Sequence, residues 1–234
     1  MAKYADDTYL LVPSINTDSI LAEVEHISRW ALHNNLSLNA GKSQELMMTK
    51  PRAKKHTMPA LTPGIARVES LNILGVTQKG NFSFDDHVTN VVRKCSQGTY
   101  ALRTLKAHGL CGVALWEVAE ASLLSSATYA SQAWWGLVDA SGRGRLDAML
   151  RKLMRQGMLP PNHLSFSEIC DKADSVLFAM ILKHPQHVLH QLLPPVRSNK
   201  YSFRARAHNR EFPATKDSLT RKTFITRMLN KNSF

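Results

Sequence analysis

Apolar side chains recur at helical spacing in two parts of the chain. In the first part, from Asp18 to Asn34, the apolar positions Ile20, Val24, Ile27 and Ala31 fall three or four residues apart. Such a stripe covers one face of a helix, so this segment is predicted to be amphipathic and to lie on other structure. Asn16 and Thr17 precede it as candidate caps, and the dipeptide "NN" ends it.

Short apolar runs on both sides of this helix are typical of strands. "TYLLV" (8–12) ends at Pro13, and "LSLN" and "ELMMT" flank the glycine turn "AGKSQ", which predicts two paired strands. Residues 50–64 are basic and contain three prolines, which favours an exposed loop. "IARVESLNILGV" (65–76) returns to strand character.

The second half of the chain has the spacing and the caps of helices. Ser83 with Asp86 is a carboxylate variant of the capping box at the start of a helix reaching about His108. Ser165 and Glu168 repeat that spacing before a helix that ends at Pro185. Two more helices are predicted over 113–137 and 145–156. The pattern therefore predicts an α+β fold in which a short mixed segment precedes a helical region.

Positive charge is concentrated near the end of the sequence. The formal charge is +12, and residues 197–234 contain ten Lys or Arg against Glu211 and Asp217, a net charge of 10 − 2 = +8. Such a segment indicates either a polyanionic partner such as nucleic acid or a solvated basic tail, and charge alone leaves both open.

The cysteine content and the first residues of the sequence indicate the cellular compartment. The three cysteines are widely spaced, which suits a reducing environment, predicts no disulfide partner and contains no zinc motif. The start lacks the apolar core of a secretory signal, and the most apolar long stretch carries Glu117 and Glu120, which disfavours a membrane span. We expect an intracellular protein, in the cytoplasm or nucleus, without a membrane partner.

Two adjacent carboxylates directly precede the first predicted strand. Asp6 and Asp7 in "KYADDTYLL" fit either a polar turn, since aspartate tolerates turn geometry, or a divalent-metal site, since hard cations bind carboxylate oxygens. Two other groups of residues give weaker indications of a binding site. "AGKS" lacks the first glycine of a phosphate-binding loop, because Leu36 stands there, and Tyr129, Trp134 and Trp135 are more typical of a core than of a base-stacking surface.

Several blocks in fixed order carry a resemblance to a known family. "YADD", "NNLSLNAGKSQ" and "LNILGV" are followed by "HVTNVVRKCSQGTYALRTLKAHGL", "YASQAWWG" and "FITRMLNKNSF". In this order the blocks resemble the reverse transcriptases of non-long-terminal-repeat retrotransposons, the LINE and jockey-like elements. The resemblance spans essentially the whole chain. It implies the second half of a polymerase palm over 1–80, truncated to short antiparallel strands and one helix. A mostly helical thumb or connection over 81–195 and a basic C-terminal tail over 196–234 would follow.

The resemblance also implies a chemistry and a set of residues. The family adds deoxynucleotides to a DNA primer on an RNA template by two-metal transfer with Mg²⁺. Asp6 would be the metal ligand, with Asp7 beside it, and Lys42 would neutralise or protonate the leaving pyrophosphate. Tyr4 and Ala5 would lie against the primer end and its template partner, and Leu74, Gly75 and Val76 would belong to a hairpin that grips the primer strand. In the basic tail, nucleic acid would be contacted by Arg204, Arg206, Arg210, Arg221 and Lys222.

The family carries its fingers, and an aspartate strand that supplies an indispensable metal ligand, ahead of the "YADD" block. Met1 lies only three residues before Tyr4, so we expect a C-terminal fragment that does not polymerise alone. Two alternatives remain. One is a non-catalytic nucleic-acid-binding module formed by the thumb and tail, and the other is a retroelement relic without function that folds poorly, with an exposed sheet edge.

Overall fold

The computed structural model describes residues 2–50, 59–197, 208–213 and 217–231. The chain divides into two compact units. The first contains residues 1–71 and 79–82, and the second contains residues 72–78 and 83–234. Helices and small sheets together make this an α+β protein, as the sequence predicts.

The first unit opens with a β-hairpin. Strands β1 (Ala2–Tyr4) and β2 (Asp7–Tyr9) are antiparallel, with Tyr4 opposite Asp7. Two residues connect them, and Ala5 has a φ of 51°, the left-handed conformation that tight hairpin turns require. The Lys3 ammonium lies 4.9 Å from the centroid of the Trp30 ring, a cation–π contact between the hairpin and the following helix.

Helix α1 (Ile20–His33) follows a 3₁₀ turn at Ser14–Ser19. Its predicted apolar stripe is confirmed, because Ala31 is buried and Ile20, Val24 and Ile27 are partly buried. In the described part of this unit the buried residues are Ala31 and Thr62, which are 7% and 5% exposed. The unit therefore has a thin hydrophobic core.

The predicted pairing of "LSLN" with "ELMMT" is wrong. Strand β3 (Gln44–Leu46) pairs in parallel with β4 (Ala66–Val68), so the small sheets are not all antiparallel as expected. The reason is a long-range ion pair. Arg67 Nη2 lies 2.7 Å from Glu45 Oε1, and the same guanidinium donates to the carbonyl oxygens of Pro59 and Ala60. Most of the basic loop expected over 50–64, namely 51–58, lies outside the described residues.

The strand character predicted over 65–76 is divided among several short strands. After β4 the chain forms β5 (Ser70–Ile73) and β6 (Val76–Lys79), a two-stranded sheet joined at Leu74 and Gly75. These turn residues have φ angles of 48° and 88°, the pair of positive values found in type I′ hairpins. Asn72 Oδ1 accepts a hydrogen bond of 2.9 Å from the Gly75 amide and stabilises the turn.

The second unit is helical. Its principal helices are α2 (Asp85–Ala107), α3 (Gly112–Ala119), α4 (Ser125–Ala127), α5 (Ser131–Trp134), α6 (Ala140–Arg155), α7 (Phe166–Lys183), α8 (Ser218–Lys222) and α9 (Phe224–Lys231). Helix α2 packs against α6, and α5 packs against α7. The core between them is apolar and includes Val88, Leu115, Trp134, Leu146 and Phe166.

Local capping accounts for the helix starts. The capping box at Ser165 and Glu168 is confirmed, with both reciprocal hydrogen bonds formed. Asp139 accepts from the Gly142 amide at 2.7 Å, so α6 begins at Ala140, earlier than the expected start at Arg145. The prediction of Ser83 as the N-cap is wrong, because Phe84 holds that position and α2 begins at Asp85, whose amide donates to Ser83 Oγ at 3.2 Å.

The continuous helix predicted over 113–137 is broken. A π-helical segment at Glu120–Leu124 separates α3 from α4, and the chain then kinks at Thr128–Ala130 before α5. Ala130 has a φ of 50°, and the Trp134 indole N–H donates to the Tyr129 carbonyl oxygen at 3.0 Å. Tertiary burial of Trp134 thus outweighs the helix propensity of the apolar run.

Part of the basic C-terminal segment is folded into the helical unit. Met228 and Leu229 of α9 are buried against Phe178 of α7. Beside them Arg227 Nη1 donates to Asp174 Oδ2 at 2.6 Å, and Asp174 has no exposed side-chain surface. A Cβ atom at Gly136 would overlap Arg227 and the Lys222 carbonyl oxygen, so this close approach requires glycine. Burial raises the pKa of Asp174, and the Arg227 hydrogen bond opposes that rise.

We predict that Asp174→Asn destabilises the protein by about 3 kcal/mol, because it leaves the Arg227 charge without its buried counterion. The urea midpoint of the full chain measures this loss. Asp171→Asn is the matched control, since the 3.7 Å contact of Asp171 with Lys231 is half exposed and contributes about 0.5 kcal/mol. Equal effects of the two substitutions would contradict an anchoring role for Asp174.

Candidate functional site

The acidic pair lies at the tip of the first hairpin. Asp6 is the second residue of the turn, and Asp7 is the first residue of β2. Both side chains are exposed, and Tyr4, which precedes the turn, is 65% exposed. The Tyr9 hydroxyl donates a long hydrogen bond of 3.5 Å to Asp7 Oδ2. The hairpin therefore presents two solvated carboxylates from a short, fixed turn.

This donor set fits a hard divalent cation of the Mg²⁺ type. Mg²⁺ keeps several waters and is commonly bound by one or two carboxylates together with substrate phosphates. Across the described ranges, no group of three or more His, Cys, Asp or Glu side chains is gathered for a metal. A cation held here would therefore take its remaining ligands from water, from a substrate or from residues beyond this group.

Lys42 lies in the same unit, at the end of a 3₁₀ turn (Ala40–Lys42). Asn39 Oδ1 accepts from the Lys42 amide at 3.1 Å and stabilises this turn, which the sequence predicts at "AGKSQ". The Lys42 side chain is exposed, and among the described residues it forms no ion pair with Asp6 or Asp7. The structure thus holds the acidic pair together on one turn and presents the lysine on another.

The second hairpin is anchored by a buried histidine. His87 Nδ1 accepts from the Thr77 amide at 3.3 Å, and its ring meets Trp134 edge-on at 4.9 Å between centroids. Val76 is only 8% exposed and belongs to the core, which leaves little of its side chain for a nucleic acid. Leu74 is 40% exposed at the turn.

Aromatic residues near this hairpin divide into two kinds. Trp134 and Trp135 are buried, as the sequence favours. Tyr129 is 55% exposed instead, and a Cβ atom at Gly75 would lie 3.4 Å from its ring. The helix break at Thr128–Ala130, which the sequence pattern did not reveal, carries Tyr129 out of the core and beside the turn.

The predicted cations of the tail have different environments. Arg204 and Arg206 lie outside the described residues. Arg210 makes hydrogen bonds within the protein: it donates to the Pro194 carbonyl oxygen at 3.1 Å, and its guanidinium lies 3.1 Å from His190 Nε2. Arg221 and Lys222 are exposed on α8. The role of Arg227 in holding α9 against α7 was not predicted from the sequence. There it is one of ten cations in a basic segment, and only its helical spacing could have indicated that role.

The comparisons with known proteins add no relative. No family model, curated protein or solved structure matches the chain. Among the described residues, no helix combines the length and the apolar character that a membrane crossing requires.

The His87 contacts generate a prediction about pH. Burial and the charge of Lys94 lower the pKa of His87, so the unfolded chain takes up a proton more readily than the folded protein. This contribution to the free energy of unfolding is present above the ordinary histidine pKa and is lost as the pH falls below it. His87→Asn keeps an acceptor for the Thr77 amide but cannot titrate. Urea unfolding at pH 7.5 and pH 5 should show a smaller difference in stability for this variant than for the wild type, and an equal difference would contradict the assignment.

Proposed function

We propose that this chain is part of a retroelement reverse transcriptase that copies RNA into DNA by nucleotidyl transfer. The first unit would be part of its palm, the helical unit its thumb, and the ligands an RNA template, a DNA primer and deoxynucleotides. The observation that supports the proposal is the tight Tyr4–Asp7 hairpin, which carries adjacent carboxylates at its turn, within the first of the ordered sequence blocks.

The hairpin fits this chemistry through its electrostatics. When bound, Mg²⁺ stabilises charge on the attacking and leaving oxygens of phosphoryl transfer. Asp6, at the turn, would hold the cation, and Asp7, fixed by β2 and close to the Tyr9 hydroxyl, would raise the local negative potential. Lys42 would offset the charge of the departing pyrophosphate.

Catalysis by two metals requires more carboxylate ligands than this pair provides. Within the described residues no third metal-binding side chain joins Asp6 and Asp7. We therefore propose that the pair is one part of a shared site and that nucleotide addition needs a further carboxylate beside it. The isolated chain is expected not to extend a primer.

A second candidate function is nucleic-acid binding without catalysis. The observation that favours it is the net charge of +8 over residues 197–234, with Arg221 and Lys222 exposed on α8. Polyanions release counterions when such cations bind their phosphates, so affinity would fall steeply with salt. This function would survive the loss of both hairpin carboxylates, which separates it from the first.

The hairpin proposal predicts a cation site at Asp6 and Asp7. Mn²⁺ substitutes for Mg²⁺ at oxygen ligands and broadens nearby NMR signals. Substoichiometric Mn²⁺ should broaden the amide signals of Ala5 to Thr8 in the purified chain, and the double substitution Asp6→Asn with Asp7→Asn should abolish the effect.

The matched control is the other adjacent acidic pair, Asp85 and Asp86, at the start of α2. Replacing both by asparagine should leave the broadening of residues 5–8 unchanged. Broadening that persists after the hairpin carboxylates are removed would contradict the proposed role of Asp6 and Asp7.

A further inference from the structure

An open depression of about 450 Å³ lies on the C-terminal helices of the second unit. Half of its lining residues are cationic. The lining consists of Asp171, Arg221, Arg227, Met228, Asn230 and Lys231. Helices α7, α8 and α9 all contribute, so the depression exists only when the C-terminal helices are folded against α7.

Arg227 is held rigidly at this depression. Its Nη1 donates to the buried Asp174 at 2.6 Å, and its Nε donates to the Lys222 carbonyl oxygen at 3.2 Å. Its Nη2 is buried and has no hydrogen-bond partner among the described residues. A buried donor without an acceptor costs free energy, and the 19% of the Arg227 side chain that is exposed lines the depression.

The two other cations are available to a ligand. Arg221 is exposed, and its guanidinium has no partner in the part of the chain that the structure describes. Lys231 meets Asp171 only at 3.7 Å, with both side chains nearly half exposed. Such a contact is weak, and a doubly hydrogen-bonding anion competes with it well.

We propose that Arg221, Arg227 and Lys231 form a phosphate-binding site, and that its ligand is a phosphodiester group of nucleic acid. Guanidinium groups match phosphate oxygens in geometry as well as in charge. Asp174 lies fully buried behind Arg227, where it orients the guanidinium. Among the described residues that line the depression, Asp171 is the carboxylate, and its negative charge weakens the site.

The charge of the sequence segment that contains α8 and α9 favours a polymer over a small anion. Residues 197–234 carry a net charge of +8, which attracts a chain of phosphates along its length. A free phosphate would gain only the contacts of the pocket. This choice of ligand rests on the proposed function, and it assigns the α8–α9 surface to the nucleic-acid backbone.

The first test measures how the affinity for a short RNA–DNA hybrid depends on salt. The affinity falls with salt, so the slope of log affinity against log salt is negative. The double substitution Arg221→Gln with Lys231→Gln should make this slope shallower by about 1.4 to 1.8, since each phosphate contact contributes about 0.7 to 0.9. The matched control is Arg103→Gln with Arg151→Gln, which removes two exposed arginines from α2 and α6. The control should change the slope by less than half as much. Arg227 is left intact because its loss would also break the Asp174 pair.

The second test titrates inorganic phosphate into the same proteins and follows the amide NMR signals of residues 227–231. Wild-type signals should shift and those of the double variant should not, whereas Asp171→Asn should tighten binding about twofold to fivefold by removing a repelling charge. Urea unfolding of each variant verifies that the helices remain folded.

Each result decides the question. A reduced slope with phosphate-dependent shifts supports the proposal. Phosphate shifts with an unchanged slope overturn nucleic acid as the ligand and indicate a small phosphate instead, and no shifts overturn the site. Mn²⁺ binding at Asp6 and Asp7 tests the proposed function separately, so the pocket can fail while that function stands. Absence of any hybrid binding would contradict both.

Discussion

The buried ion pair between Asp174 and Arg227 is the interaction on which the C-terminal half of the second unit depends. A carboxylate without solvent exposure must have a counterion, and the partner comes from a helix 53 residues later in the chain. The pair brings α9 onto α7, where Met228 and Leu229 complete a small apolar cluster with Phe178. Gly136 makes room for Arg227, so one position without a side chain permits the whole arrangement.

This pairing changes the meaning of the basic segment. From sequence, its charges belong equally well to a solvated tail or to a polyanion-binding surface. In the structure they have separate roles: Arg227 stabilises the fold, Arg210 stabilises the approach of residues 195–197 to 209–211, and Arg221 remains exposed. Arg227, which is fixed by folding, would lose little freedom on binding a phosphate, and this favours the proposed site.

Sequence reasoning succeeded where the determinant is local. The capping box at Ser165 and the apolar stripe of α1 depend on residues within a few positions, and both are present. The acidic hairpin is local too, since a two-residue turn sets it. Reasoning failed where distant residues decide. Glu45 pairs with Arg67 and makes β3 and β4 parallel neighbours, and burial of Trp134 breaks the helix at Ala130 and exposes Tyr129.

We propose that the acidic hairpin binds the end of a primer and that the helical unit binds the duplex. Photocrosslinking from a primer whose 3′-terminal nucleotide carries the reactive group, annealed to an RNA template, tests it most directly. Crosslinks identified by mass spectrometry should fall at Tyr4 to Asp7, and a group placed within the duplex should instead react with the helical unit. Crosslinks from the 3′ end that fall only in the helical unit, or that are the same for both positions of the group, would contradict the claim.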